Sequence, residues 1–412
     1  MSKINIDRIV SDIRTRTTYI TPLVEAVCNS MDAIGSKPDG KIDIIIKRAE
    51  ILPEMGANAL GDIIGIDVVD NGIGFTDENR DSFDTFRSDM KVKQGGKGFG
   101  RFMYLKYFYS VSIESLYNDN GTLRFRNFTF GRGNDIIENE KVGLADRAAK
   151  TGTTVHLAGV KSGAIQDKGL EVIARKLLER ILVFFVDPKH PAPIIRIAEE
   201  DNSDAIILND YIGHDKDIVF IGSSPIEIVD NESGEVLDFS VQMYKIYYSQ
   251  AVSRVSLTAN KREVTDTAIH SYVPEFQETL FEIDGNGRQR NYSVKAYVLG
   301  DFLDENVTVE RDGFMINKDE GDIFSSVSEK AIEREAASVV KAKFFEEMSR
   351  RFEEKRQRVE NYVTHKAPWN RTLMSDIDLE SMAMGISEQE IEMRFQKAKF
   401  DREQQILSLI HI

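Results

Sequence analysis

The 412-residue sequence holds a single cysteine, only six histidines and no long hydrophobic run. Cys28 alone cannot close an internal disulfide, which suits a reducing cytoplasmic setting. The same scarcity excludes a cysteine-rich zinc site. The histidines are scattered and no pair has metal-ligand spacing, so they read as structural or surface residues. No apolar stretch approaches the roughly 20 residues that span a bilayer. The opening MSKINIDRIVSDIRTRTTYI carries charges throughout and lacks the apolar core of a secretory signal. A cationic excess is missing too: 53 Lys and Arg stand against 68 Asp and Glu, a net charge of -15. That balance argues against extended nonspecific binding to nucleic acid, although a local basic patch is compatible with it.

What is present is a globular composition, 41% hydrophobic and 29% charged, enough to build real cores. The length suggests two or three domains. In the first block, residues 1–190, a helix is expected over Pro22 to Ile34 and β-rich runs over Lys41 to Arg48, Asp62 to Val69, Phe108 to Tyr117, Leu123 to Phe130 and Thr153 to Gly159. A helix over Leu170 to Val186 closes it. Antiparallel strands with helices on one face make an α+β sandwich. The second block, residues 193–322, carries strand-like segments at Phe239 to Tyr248, Arg254 to Val264 and Tyr292 to Leu299. The third, residues 323–412, is helical. One long helix is expected from Ile323 to Val363, with Phe345, Met348, Phe352, Val359 and Tyr362 along a seam that Lys355 interrupts. Fewer than three clean heptads are present, which favours packing within its own domain over a coiled-coil arm. A short helical region follows Pro368-Trp369.

Three pieces of the first block carry chemistry. On the helix, Val24, Val27, Met31 and Ile34 share one face, while Glu25, Asn29 and Asp32 share another at steps of four and three. Polar residues there also suit an ordinary surface helix. Asn is a poor mid-helix choice, and a metal or a reacting water would explain Asn29. The second piece, Asp70-Asn71-Gly72-Ile73-Gly74, ends an apolar strand in a carboxylate followed by turn chemistry and by glycines that let a ligand approach the backbone. The third, Gln94-Gly95-Gly96-Lys97-Gly98-Phe99-Gly100-Arg101, clusters glycines before a helix, where backbone N–H groups and the positive helix end favour phosphate. It lacks the Lys and Ser/Thr of a P-loop and the spacing of a dinucleotide fingerprint.

In order and spacing these pieces resemble the motifs of the GHKL ATPases, the group of gyrase, heat-shock-ninety chaperones, histidine kinases and MutL. Glu25 to Ala33 is similar to the first motif, Asp70 to Gly74 to the second, Ser88 to Arg101 to the ATP lid and third motif, and Thr151 to Val155 to the fourth. The resemblance implies a Bergerat-type α/β sandwich that binds ATP and Mg²⁺. Glu25 would be the general base that activates water. Asn29 would ligate Mg²⁺, with Asp32 and Ala33 in the same nucleotide-binding motif. Asp70 would accept from the adenine amino group, Gly74 would give the base room, with Gly72 in the same nucleotide-binding motif, and Thr153 would support the adenine end. Gly96, Gly98 and Gly100 would wrap the phosphates, with Lys97, Phe99 and Arg101 in the same nucleotide-binding stretch. Cys28, with no activating neighbour in sequence, reads as a packing residue.

The second block resembles the transducer domain of gyrase, MutL and the heat-shock-ninety chaperones. Within Val255 to Val264, Lys261 is the candidate for reaching the γ-phosphate and Arg262 the second choice; a charged surface turn is the other reading of these residues. No histidine precedes the first motif as a sensor kinase requires. The implied activity is ATP hydrolysis that drives lid closure and pairing of two chains through their N-terminal segments. The alternative is a slow ATP-switched binding module within a larger DNA-repair or defence assembly. A membrane is not expected as a partner, and the sequence does not say whether the client is protein or nucleic acid.

Overall fold

The computed structural model describes residues 6–12, 18–50, 60–84, 100–133, 135–146, 148–161, 163, 165–186, 192–201, 203–230, 233–248, 252–308, 313–319 and 327–410. The chain forms two compact units. The first is Met1–Lys216 with Thr258–Thr265 and Leu299–Met315, and the second is Asp217–Leu257 with Asp266–Val298 and Ile316–Ile412. Both combine helices with a sheet, an α+β architecture.

In the first unit the chain runs α1 (Ile6–Asp12), α2 (Ile20–Ile34), β1 (Lys41–Arg48), β2 (Ile63–Asp70), α3 (Asp77–Asp84), α4 (Phe102–Tyr107), β3 (Phe108–Asp119), β4 (Thr122–Phe130), β5 (Ile137–Leu144), β6 (Gly152–Val160), α5 (Leu170–Ile181), β7 (Ile194–Glu199) and β8 (Ala205–Ile207). The strands form one sheet in the order β5-β4-β3-β6-β2-β1-β7-β8. It is mixed rather than antiparallel, because β1 and β7 run parallel, with Lys41 opposite Ile194. Strand β5 was not legible: it is an edge strand, mostly exposed and with polar and charged residues over Glu138 to Lys141, so it lacks a sustained apolar pattern. The expected helix to Val186 is α-helical only to Ile181 and tightens to a 3₁₀ turn over Leu182–Phe185.

Alternation decides which side chains meet the helices. Ile42, Ile44 and Ile46 on β1 are fully buried, and their partners Asp70, Val68 and Ile66 on β2 lie on the same face. Asp70 therefore ends its strand pointing into the layer that α2 covers. Register carries the same row onward: Asp70 lies opposite Thr153 on β6, and Thr153 opposite Ser115 on β3. Helix α2 is buried on more than one side. Leu23, Ala26, Val27, Cys28, Ser30, Met31 and Ile34 are all buried, Val24 is only half-buried, and Glu25 is 9% exposed. The two-faced helix expected from the sequence is corrected on this point, because α4 and α5 pack on α2 in addition to the sheet.

The second unit contains β9 (Ile218–Val229), β10 (Val236–Ile246), most of β11 (Arg254–Ala259), β13 (Thr267–Ala268), β14 (Leu280–Ile283) and β15 (Gln289–Leu299), with helices α7 (Glu329–Lys343), α8 (Phe345–His365) and α9 (Glu388–Ile410). The remaining elements, β12 (Arg262–Glu263) and α6 (Asp301–Asn306), belong to the first unit. The single helix expected over Ile323 to Val363 is two helices that break at Phe344, whose ring is buried against Phe276 and Tyr292. Phe345 is 68% exposed and leaves the expected seam. Residues 321–326, where that helix was expected to start, lie outside the described residues; α7 starts where the Ser328 side chain accepts from the Ala331 N–H. Lys355 is no interruption. It is buried and its Nζ lies 2.6 Å from Oε1 of Glu275. The C-terminal helix α9 is far longer than the short region expected, and with α8 it closes a cluster of Val359, Val363, Leu373, Met382, Ile386, Ile391 and Phe395.

Candidate functional site

Several of the residues singled out in the sequence, Glu25, Ala33, Asp70, Gly72, Gly100 and Thr153 among them, meet around α2 in the first unit. Asp70 receives the Ser30 hydroxyl at 2.9 Å and the Gly72 N–H at 2.8 Å. Burial raises its pKa above the usual carboxylate value, and these bonds, with one from the Thr153 backbone, only partly offset that effect. The two glycines after it are required by close packing. A Cβ on Gly72 would stand 2.8 Å from Ala33, and Gly74, at φ +80°, would place one 2.2 Å from the Leu116 carbonyl oxygen. Ala33 also accepts from the Ile73 N–H at 3.0 Å, which ties this loop to the end of α2. Thr153 is buried, with its hydroxyl 3.2 Å from that of Ser115.

One residue before Ser30 on α2, Asn29 Nδ2 donates to the Tyr104 hydroxyl of α4 at 3.3 Å. This turns the amide oxygen away from Tyr104. Burial, first, and the nearby Glu25 charge, second, raise the Tyr104 pKa, so the hydroxyl stays protonated. Gly100 precedes α4 and abuts Glu25. Its neighbour Arg101 is buried: the guanidinium lies over the rings of Phe83 (4.9 Å) and Phe102 (5.4 Å) and donates to the Ser82 carbonyl at 3.2 Å. Burial pulls the pKa of Arg101 down to about 10. Gly96, Lys97, Gly98 and Phe99 lie outside the described residues.

The segment Val255 to Val264 is a hairpin rather than one strand. Thr258 pairs with Glu263 and Ala259 with Arg262, which leaves Asn260 and Lys261 as a two-residue turn at φ 51° and 61°. Positive φ at both positions is the geometry of a type I′ turn. The Asn260 N–H donates to Asp304 at 2.6 Å. Lys261 Nζ lies 5.8 Å from the Phe184 ring centroid. Arg262 instead faces α2: Nη1 is 3.5 Å from Glu25 Oε2, and Nη2 is 3.9 Å from Asp32 Oδ2. Burial alone would lower the Arg262 pKa, but Glu25, Cys28 and Asp32 outweigh it and hold the guanidinium charged. Cys28 is buried, and burial pushes its thiol up to about 11, so it is an inert packing group at neutral pH.

Sequence reading passed over Ser30, Tyr104 and Ser115. A serine amid the apolar residues of α2 was the available signal for Ser30. Tyr104 and Ser115 gave none, because an aromatic in a short helix and a serine in a strand are ordinary. The described residues hold no group of three or more His, Cys, Asp or Glu able to bind a metal. None of their helices is long and apolar enough to cross a membrane.

No protein-family profile matches the sequence, and no curated protein matches it either. Among solved structures, the fold is similar to one described as the crystal structure of the N-terminal domain of a DNA repair protein. The TM-score is 0.45 at 12% identity, over 83% of this chain and 98% of that one.

Proposed function

We propose that the first unit binds Mg²⁺-ATP and hydrolyses it in the manner of the GHKL ATPases, on a Bergerat-type sandwich. One observation carries the reading: residues from four separate sequence motifs touch one another around α2. Gly100 abuts Glu25, Ser30 bonds Asp70, Gly72 packs on Ala33, and Asp70 pairs with Thr153 across the sheet. A surface helix with a neighbouring turn would not require all of these contacts.

The donors present suit the ligand. Asp70 is a buried acceptor at a strand end, the chemistry that selects an amino group on a base. With its nitrogen on Tyr104, Asn29 presents an amide oxygen, a hard ligand for Mg²⁺. One protein ligand is enough in principle, because Mg²⁺ at nucleotide sites takes most of its ligands from phosphates and water. Bound Mg²⁺ would neutralise phosphate charge. Glu25 would accept the proton of a water whose oxygen bonds the terminal phosphorus while the bond to the bridging oxygen breaks, and ADP leaves with that electron pair. In this reading ATP also closes the lid and favours pairing of two chains.

Calorimetry and a phosphate-release assay test the reading. The chain binds ATP in the presence of Mg²⁺. Glu25→Ala keeps that binding and loses about a hundredfold or more of the hydrolysis, the usual scale for a general base. Absence of nucleotide binding, or parental turnover in Glu25→Ala, overturns it. Sedimentation with a non-hydrolysable analogue, with ADP and without nucleotide reads the pairing; an unchanged dimer fraction removes that part alone.

A further inference from the structure

The side chains of Arg262 and Glu25 are 12% and 11% exposed, so their contact is largely shielded from water. Glu25, Cys28 and Asp32 stand at steps of three and four along α2, and Arg262 faces all three. A guanidinium on the candidate base is an obstacle to catalysis, since it occupies the carboxylate that must take the water's proton. Yet Arg is also the side chain best suited to a phosphate, through the same planar donors that engage a carboxylate.

We propose that Arg262 is a switch for which Glu25 and the terminal phosphate of ATP compete. Without nucleotide it rests on Glu25 and holds the base idle; the phosphate draws it off and frees Glu25 to act. This rests on the ATP reading above. ADP lacks the terminal phosphate and leaves Arg262 on Glu25. A ligand shifts such an equilibrium only through its differential affinity for the two states, and the terminal phosphate supplies that difference. The turn that presents Arg262 is anchored on both sides, by Asn260 to Asp304 and by an ion pair between Arg180 and Glu263. The guanidinium can therefore change partner with little movement of the hairpin.

A double-substitution cycle separates this switch from general electrostatics. Binding of Mg²⁺ with a non-hydrolysable ATP analogue, and of ADP, is measured by calorimetry for the parent, Glu25→Gln, Arg262→Gln and the double variant. Removing the competitor makes Glu25→Gln bind the analogue at least about fivefold more tightly than the parent, the lower end of ordinary coupling, and leaves ADP unchanged. In the Arg262→Gln background that gain disappears. Arg262→Lys, which keeps a cation on the hairpin, retains part of it. Nucleotide-free melting supplies a readout independent of binding: the two single substitutions lower the midpoint, and the double lowers it by less than their sum. A gain of equal size in both backgrounds, or additive melting shifts, overturns the switch while the ATP site stands. If the parent binds neither nucleotide, the ATP reading fails and takes the switch with it.

Discussion

A β-carbon on Gly100 would stand 2.1 Å from Oε2 of Glu25 and 2.4 Å from its carboxyl carbon. The glycine at the end of the third motif is thus fixed by the side chain of the first. A methyl group here collides only with the far end of a flexible side chain, so Gly100→Ala folds and moves Glu25 aside. An ångström of misplacement at a reacting group costs about a hundredfold in rate. Gly100→Ala is expected to lose roughly ten- to a hundredfold in ATP turnover, with a smaller change in ATP affinity. Turnover within about twofold of the parent would show that Glu25 does not act from this position.

If Asp70 receives the adenine amino group as proposed, it links ligand recognition to stability. Its pKa is raised, so the folded chain holds this proton more tightly than the unfolded chain does. A raised carboxyl is therefore a cost that grows as pH rises through the unfolded value of about 3.9 and is complete above the folded one. Asn at this position can still accept from Gly72 and donate to Ser30. Asp70→Asn is expected to melt no lower than the parent at pH 7, with its relative advantage shrinking toward acid. Its ATP affinity falls by about 1.5–3 kcal/mol, or roughly ten- to a hundredfold. Calorimetry and melting on the same samples check both halves.

Local chemistry made much of the first unit legible. Strand β1 has the expected ends, and β2, β3, β4 and β6 fall within a few residues of theirs, because these runs are rich in β-branched and aromatic residues. Elements whose form depends on partners were not legible. Strand β5 lies at a sheet edge and is mostly exposed, so it needs no sustained apolar face. The break at Phe344 follows from its ring finding Phe276 and Tyr292, which no heptad count contains. At the site, the motif residues were visible as polar or glycine positions out of keeping with their surroundings. The partner of Glu25 was not: Lys261 and Arg262 are adjacent cations, and only the two-residue turn decides that Arg262 is the one aimed at α2.

Lys355 and Glu275 form a pair in which both side chains are almost fully buried. The ammonium is completed by the Met382 carbonyl at 3.0 Å. Removing one partner leaves a buried charge without compensation, which costs about 3–5 kcal/mol, whereas replacing both with apolar groups is often neutral. Lys355→Met is expected to destabilise the second unit by that amount, and Lys355→Met with Glu275→Leu to recover most of it. Urea denaturation of the two variants distinguishes them. Equal loss in both would mean that packing, and not charge, is what Lys355 provides.

The outer face of the first sheet carries a histidine whose pKa is raised above its ordinary value. His156 Nδ1 lies 2.9 Å from Asp67 Oδ1, Glu114 lies 3.8 Å from Nε2, and Lys47 Nζ binds the other Asp67 oxygen at 2.7 Å. Register explains the cluster: Asp67 and His156 are directly opposed on β2 and β6, and Glu114 and Lys47 project from the same face of β3 and β1. The hydrogen bond to Asp67 raises the His156 pKa; burial opposes it, and the charges of Asp67 and Glu114 add to the rise. Burial would raise Asp67, but its bonds from His156 and Lys47 hold it below the usual carboxylate value. A histidine whose folded pKa is raised stabilises fully below its unfolded value of about 6.5, and the contribution is lost as pH rises through the folded value. Melting midpoints of the parent and of His156→Gln are expected to differ most below about pH 6.5 and to converge as pH rises through the folded value of His156. Because Lys47 remains on Asp67 in the variant, the carboxylate keeps a partner and the difference reports the imidazolium alone. A gap that stays constant across this range would mean that His156 contributes by packing and that its charge plays no part in holding the sheet.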